Sequence, residues 1–127
     1  MHSENAAILK ALVSVAWADG TYGPQEREMM DALLVAFDAT EEQAKDIRTY
    51  AEVKRTLEDV PIEELSADDL RVLIQHAVLL TFIDGTQDSK EAEFVIELAR
   101  YVGIPEAEAK ELIALAEQRA KRNLRLL

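Results

Sequence analysis

The sequence contains no cysteine, and it has only four glycines and three prolines among its 127 residues. Without cysteine the chain can form neither a disulfide framework nor a thiolate metal site, so nothing in the composition points to secretion. The scarcity of glycine, proline and runs of β-branched residues leaves little material for strands and hairpins. These deficits favour an all-α protein, and the length favours a single domain spanning residues 1–127.

Basic residues are also scarce, since 14 lysines and arginines face 25 aspartates and glutamates, for a net charge of −11. A surface this negative repels nucleic-acid phosphates and anionic lipid headgroups, so we expect no nucleic-acid partner. It favours cations or a protein partner with a basic surface instead. The oligomeric state has no signature in the composition.

The C-terminal stretch reverses this balance, because residues 113–127 hold four basic side chains and one acidic one. A basic helix end at 119–127 suits the negative pole of a helix. It would also suit docking on an acidic patch, or peripheral association with a membrane.

The first twenty residues lack a basic segment ahead of their apolar residues, which are spaced as on one helix face. This pattern is typical of neither a signal peptide nor a membrane span, and we therefore expect a cytoplasmic protein.

Apolar residues recur at helical spacing along most of the chain, and short capping signals mark where helices start. The first predicted helix runs from about Glu4 to Ala18, with its apolar residues on one stripe. Thr40-x-x-Gln43 and Ser66-x-x-Asp69 are capping boxes that open two later helices. Gly103 is predicted to end a helix, and Pro105 to open the last one at its first position.

Residues 19–47 align with residues 84–112 without a gap and with nine identities. The chain is therefore predicted to contain two three-helix repeats related by a pseudo-twofold axis, at about 4–53 and 67–120, joined by an acidic connector at 54–66. The repeated turn and acid positions are Asp19/Asp84, Gly20/Gly85, Thr21/Thr86 and Glu26/Glu91.

The repeated acids have two interpretations. Gly20 and Gly85 are natural helix stops, and Glu26 and Glu91 stand where a carboxylate caps the amides of a new helix. However, helical angles place Glu26 within an apolar stripe and Glu28 on the opposite face. A carboxylate directed inward needs a partner, and that partner could be a backbone amide, a hydroxyl of Thr21 or Thr86, or a cation.

If the partner is an ion, oxygen ligands without histidine or cysteine suit Ca²⁺ or Mg²⁺. The spacing is not that of an EF-hand, since the twelfth position counted from Asp19 is Met30 and from Asp84 is Val95. A capping role and a cation site at Asp19, Glu26, Asp84 and Glu91 both stay open on the residues alone.

The sequence offers few other candidate functional motifs, because no phosphate loop, zinc motif or catalytic triad spacing occurs. His76 and His2 are the only histidines. We therefore expect no enzyme, with a metal-dependent hydrolase built on the clustered carboxylates as the least favoured alternative.

The stretches "AWADGTYGPQEREMM" and "IDGTQDSKEAEFV" resemble the two signatures of the TerB-like family of bacterial tellurite-resistance proteins. The similarity covers roughly residues 4–120, and the N-terminal domain of the DjlA co-chaperones is also similar.

The resemblance implies an all-α bundle of about seven helices. It also implies a non-enzymatic role in the response to tellurite or other chemical stress. The family's proposed metal ligands would correspond to Asp19, Glu26, Asp84 and Glu91. A metal-free acidic domain that binds a protein is the alternative.

Overall fold

The computed structural model describes residues 3–18, 20, 22–81 and 89–126, and it describes no side chain at 3, 89–91, 121 or 123–126. The described residues are helical and contain no strand, which confirms the all-α prediction. They form six α-helices and two single-turn 3₁₀ helices, where about seven helices were expected. The α-helices are α1 (Ser3–Ala16), α2 (Pro24–Ala36), α3 (Glu41–Ala51), α4 (Ala67–Thr81), α5 (Ser89–Tyr101) and α6 (Glu106–Leu126).

Both predicted capping boxes are present. The Thr40 amide donates to Gln43 Oε1 at 2.9 Å, and the Gln43 amide donates back to Thr40 Oγ1 at 3.1 Å. Ser66 and Asp69 exchange the same pair of bonds, at 2.9 and 3.1 Å. The last helix begins at Glu106, so Pro105 precedes its first position by one residue, and the Pro105 carbonyl accepts from the Ala109 amide.

Among the described residues the core is centred on α4, which packs about equally against α1 and α6. Helices α1 and α4 are the first helices of the two predicted repeats, and their buried positions correspond. The corresponding pairs are Ile8/Leu73, Leu9/Ile74, Leu12/Ala77, Val13/Val78, Val15/Leu80 and Ala16/Thr81, each member at most 6% exposed. Contact between equivalent helices is compatible with the predicted twofold relation between the repeats, which stays a prediction.

Helix α1 is buried on more than the single stripe that its sequence pattern indicated. Ala11, Ser14 and Val15 are as inaccessible as the predicted stripe. The reason is position, because α2, α3, α4 and the connector all contact α1. A helix surrounded in this way has little outer face.

The second helix of each repeat ends with the same backbone geometry. Asp38 and Gly103 are equivalent in the alignment, and both are left-handed, with φ of 57° and 87°. The next amide then reaches back five residues, from Ala39 to Leu34 at 2.9 Å and from Ile104 to Ala99 at 3.0 Å. This is the Schellman closure, which satisfies a terminal carbonyl that the helix cannot. The repetition therefore extends to the shape of the chain.

The acidic connector contributes to the core. Its two 3₁₀ helices, Leu57–Asp59 and Ile62–Glu64, flank Val60, which is buried. Leu57, Ile62 and Leu65 pack against the core beside it. The carboxylates stay on the outer side, with Glu58, Asp59, Glu63 and Glu64 exposed. The connector therefore packs against the bundle through its apolar residues, and it contacts α1.

Within the described part of the chain, no helix combines the length and the apolar character needed to cross a bilayer.

Candidate functional site

The corner between α1 and α2 holds the first copy of the repeated motif. Helix α1 gives way to a turn in which the Gly20 amide donates to the Trp17 carbonyl at 2.8 Å. Gly20 has a φ of 89°, a left-handed conformation that glycine adopts without strain. The glycine therefore ends the helix as its sequence position predicts. Asp19 and Thr21 lie outside the described residues.

Glu26 caps α2. Gly23 is the N-cap in extended conformation, Pro24 is the first helical residue, and the Gly23 amide donates to Glu26 Oε2 at 3.1 Å. A carboxylate at this position also faces the positive end of the helix. Glu26 is partly buried, whereas Glu28 is exposed. The structure thus gives Glu26 the capping partner that the sequence offered as one of two interpretations.

The second corner contains the equivalent residues, and most of it lies outside the described part of the chain. Asp84, Gly85 and Thr86 are in the undescribed segment 82–88, and Glu91 has a described backbone in α5 without a described side chain. Among the residues that are described, no three histidine or acidic side chains form a group that could hold a metal ion. The convergence of Asp19, Glu26, Asp84 and Glu91 stays a prediction.

An aromatic cluster stabilises the first corner, and motif reading did not anticipate its contacts. The indole Nε1 of Trp17 donates to the carbonyl of Ala51 at the end of α3, at 2.9 Å. The Trp17 ring stacks on Tyr22, with centroids 5.5 Å apart and planes 19° from parallel. The guanidinium of Arg27 lies 5.0 Å from the centroid of Tyr22. The corner is thereby fixed to α3 and to the first turn of α2.

The signal for this cluster was the aromatic type of Trp17 and Tyr22 on either side of Asp-Gly-Thr. The partners could not be found from the motif, because Ala51 is 34 residues away. The carbonyl of a helix's final turn has no partner within the helix, so it is available to a distant donor.

Burial of its ring raises the pKa of Tyr22 to about 12, against an opposing effect of Arg27 and with support from the Asp31 and Glu26 carboxylates. An unfolded tyrosine ionises near pH 10. Below about pH 10 both states hold the proton; between about pH 10 and pH 12 the unfolded state loses it first, which favours unfolding. We therefore expect the free energy of unfolding to fall as the pH rises through this window.

Tyr22→Phe should remove that part of the alkaline loss, as measured by urea unfolding at about pH 8 and about pH 11.5. Tyr101→Phe, which changes an exposed tyrosine of α5, is the matched control. An equal alkaline loss in wild type and Tyr22→Phe would contradict the assignment.

His76 is partly exposed on α4. Its Nδ1 lies 2.9 Å from the Val72 carbonyl in the preceding turn, and its ring is 5.7 Å from that of Phe37. Elsewhere on α4, an ion pair between Arg71 and Glu108 joins this helix to α6. The contacts of His76, with the Val72 carbonyl and the Phe37 ring, are those of a structural histidine.

Fold and corner together define a class of protein: an all-helical bundle in which a left-handed turn at Gly20 precedes a helix that Glu26 caps. The family model described as tellurite resistance protein TerB matches residues 5–114, which is most of the chain. The chain belongs to this family, which confirms the resemblance. Comparison with the curated proteins gave no match, and comparison with the solved structures gave none either.

Proposed function

We propose that this protein is a non-enzymatic module of the bacterial response to tellurite or related chemical stress, and that it acts in the cytoplasm by binding. The family match over residues 5–114 is the observation that carries the proposal. The net charge of −11 indicates the kind of ligand, because an acidic chain favours cationic ligands or partners.

The ligand we propose is a divalent cation, Ca²⁺ or Mg²⁺, bound by the acids of the repeated corners, Asp19, Glu26, Asp84 and Glu91. Glu26 supports this choice because the Gly23 amide holds Oε2 in place at 3.1 Å, which orients the carboxylate at the corner. A carboxylate uses each oxygen separately, so Oε1 can act as a ligand while Oε2 caps the helix. Hard cations of this kind prefer such oxygens.

Thermal unfolding of the full chain with and without Ca²⁺ or Mg²⁺ tests this proposal. A bound cation stabilises the folded state by about 2.7 kcal/mol at one hundred times its Kd, which is a rise of several degrees in Tm. The rise should be lost in Glu26→Gln/Glu91→Gln. It should persist in Glu28→Gln/Glu93→Gln, which removes two exposed carboxylates from equivalent positions of the same helices.

A common rise in both double variants would reflect general charge screening, and it would count against a cation at the corners. The absence of any rise in wild type would have the same meaning.

A metal-free interaction domain is the second candidate, and the Gly23–Glu26 bond favours it, because Glu26 Oε2 already accepts from an amide without an ion. In this case the exposed carboxylates bind a basic protein surface. Partner capture should then weaken as salt is raised and should be unaffected by a chelator. Loss of the partner on chelation would exclude this candidate in favour of the first.

A further inference from the structure

The duplication allows two grooves of the same chain to be compared position by position. One groove lies between α2 and α3, and the other lies between α5 and α6. Their linings correspond at the repeat offset of sixty-five residues. Equivalent lining pairs are Asp31/Ile96, Val35/Arg100, Ala39/Ile104, Glu41/Glu106, Ala44/Ala109 and Arg48/Ile113.

An ion pair crosses the α2–α3 groove. Arg48 Nε on α3 lies 2.9 Å from Asp31 Oδ1 on α2, with the two side chains 58% and 53% exposed. Both residues line the groove, together with Thr40 and Glu41. This groove has an apolar part as well, formed by Leu34, Val35, Ala39 and Ala44. Its difference from the second groove therefore lies at the two positions that hold the ion pair.

The α5–α6 groove has two isoleucines in place of that ion pair. Ile96 and Ile113 line a cavity of about 250 Å³, with Ile104 and Ala109 completing its apolar wall. Ile96 is 48% exposed, although a large aliphatic side chain gains by burial. The position that carries a charge in the first repeat thus carries solvent-exposed hydrocarbon in the second.

The charged residues that line this groove are mainly basic, in contrast to the chain as a whole. Arg100 replaces Val35 of the first repeat, and no ion pair involving Arg100 occurs among the described residues. Lys110 is paired only at 3.4 Å with Glu106, and both of these side chains are at least 75% exposed. An exposed pair of this kind is weak, so both cations are available to an anion.

We propose that the α5–α6 groove binds a free amphiphile with one apolar chain and one carboxylate. The chain lies against Ile96 and Ile113, and the carboxylate meets Arg100 and Lys110. The cavity of about 250 Å³ has the volume of about eight water molecules at about 30 Å³ each, which suits a chain of about eight carbons. The apolar chain of the ligand thus contacts apolar side chains. Its carboxylate contacts a guanidinium that can form two parallel hydrogen bonds with it.

Octanoate is the probe, titrated into the ¹⁵N-labelled full chain with chelator present, so that the result is independent of any divalent cation. We expect saturable shifts at amides of α5 and α6. Arg100→Gln should weaken octanoate binding by about tenfold and leave octanol binding unchanged, because only the acid uses the charge-assisted contact. Equal effects on the acid and the alcohol would overturn the role of Arg100.

The first repeat supplies the blocking variant. Ile96→Asp/Ile113→Arg transfers the Asp31–Arg48 pair to the second groove at positions that already accept it once in this fold. Octanoate and octanol should both bind at least about tenfold more weakly to it. The control, Asp31→Arg/Arg48→Asp, reverses the ion pair of the α2–α3 groove and should leave both affinities unchanged.

Ile96→Asp alone is the alternative if the double variant does not fold, since Ile96 is half exposed. Unchanged octanoate affinity in a folded variant with an altered groove would overturn the proposal. So would non-saturable shifts, or shifts centred outside α5 and α6.

Discussion

Leu73→Ala is expected to lower the free energy of unfolding by about 2–5 kcal/mol, the cost of a cavity in a tightly packed core. Leu73 lies on α4 with no exposed surface, in the core that α4 forms with α1. The protein cannot refill such a site without moving a helix that several others contact. Since domains of this size are stable by about 5–15 kcal/mol, this single change removes a large part of the total.

Chemical denaturation followed by circular dichroism measures the effect. Ile8→Ala, at the equivalent position of α1, should cost a similar amount, because Ile8 is 1% exposed. Leu115→Ala is the control, since Leu115 is 54% exposed on α6, and it should change the free energy by less than about 0.5 kcal/mol. Comparable losses at Leu115 and Leu73 would show that α4 is not the centre of the core.

Trp17→Ala is expected to lower the free energy of unfolding by about 3 kcal/mol, at the lower end for loss of a large aromatic side chain. Trp17 is only partly buried, but it makes two specific contacts at the corner. The first is the bond from its indole to the Ala51 carbonyl, and the second is the stack on Tyr22. Both are lost together with the packing of the ring.

Trp17→Phe separates these contributions. Phenylalanine keeps a ring for the stack but has no N–H, so the Ala51 carbonyl loses its donor at a cost of about 1–3 kcal/mol. Urea unfolding of the two variants beside wild type gives both differences. If Trp17→Phe were as stable as wild type, the hydrogen bond to α3 would contribute nothing to holding the corner.

Local signals in the sequence predicted local structure well. Thr40, Ser66 and Gly103 act where their chemistry places them, because a cap depends only on neighbours three to five residues away. The left-handed conformation of Asp38 was not anticipated, because a residue with a side chain adopts this conformation less readily than its equivalent Gly103. The repeat alignment contained that information, because it pairs the two positions.

Features that depend on distant contacts could not be predicted in the same way. The sequence places Val60 in an acidic connector, where five of its near neighbours carry charge. The structure shows that Val60 is buried and that the connector contacts α1. The same distinction between local and distant contacts applies to the site. The cap formed by Glu26 could be predicted from Gly23-Pro24. The bond from Trp17 to Ala51 could not, because it arises from the tertiary packing of α3 against α1.

The contact between α1 and α4 has a bearing on how such a fold arises. If the predicted twofold relation between the repeats holds, the contact of these two equivalent helices has the geometry of a homodimer, in which one surface patch binds its own copy. A chain carrying a single repeat would leave α1 uncovered and would depend on concentration to find a second copy. Joining two copies through a connector makes that association independent of expression level. Each half is then free to change separately, as the exchange of Asp31 and Arg48 for Ile96 and Ile113 illustrates.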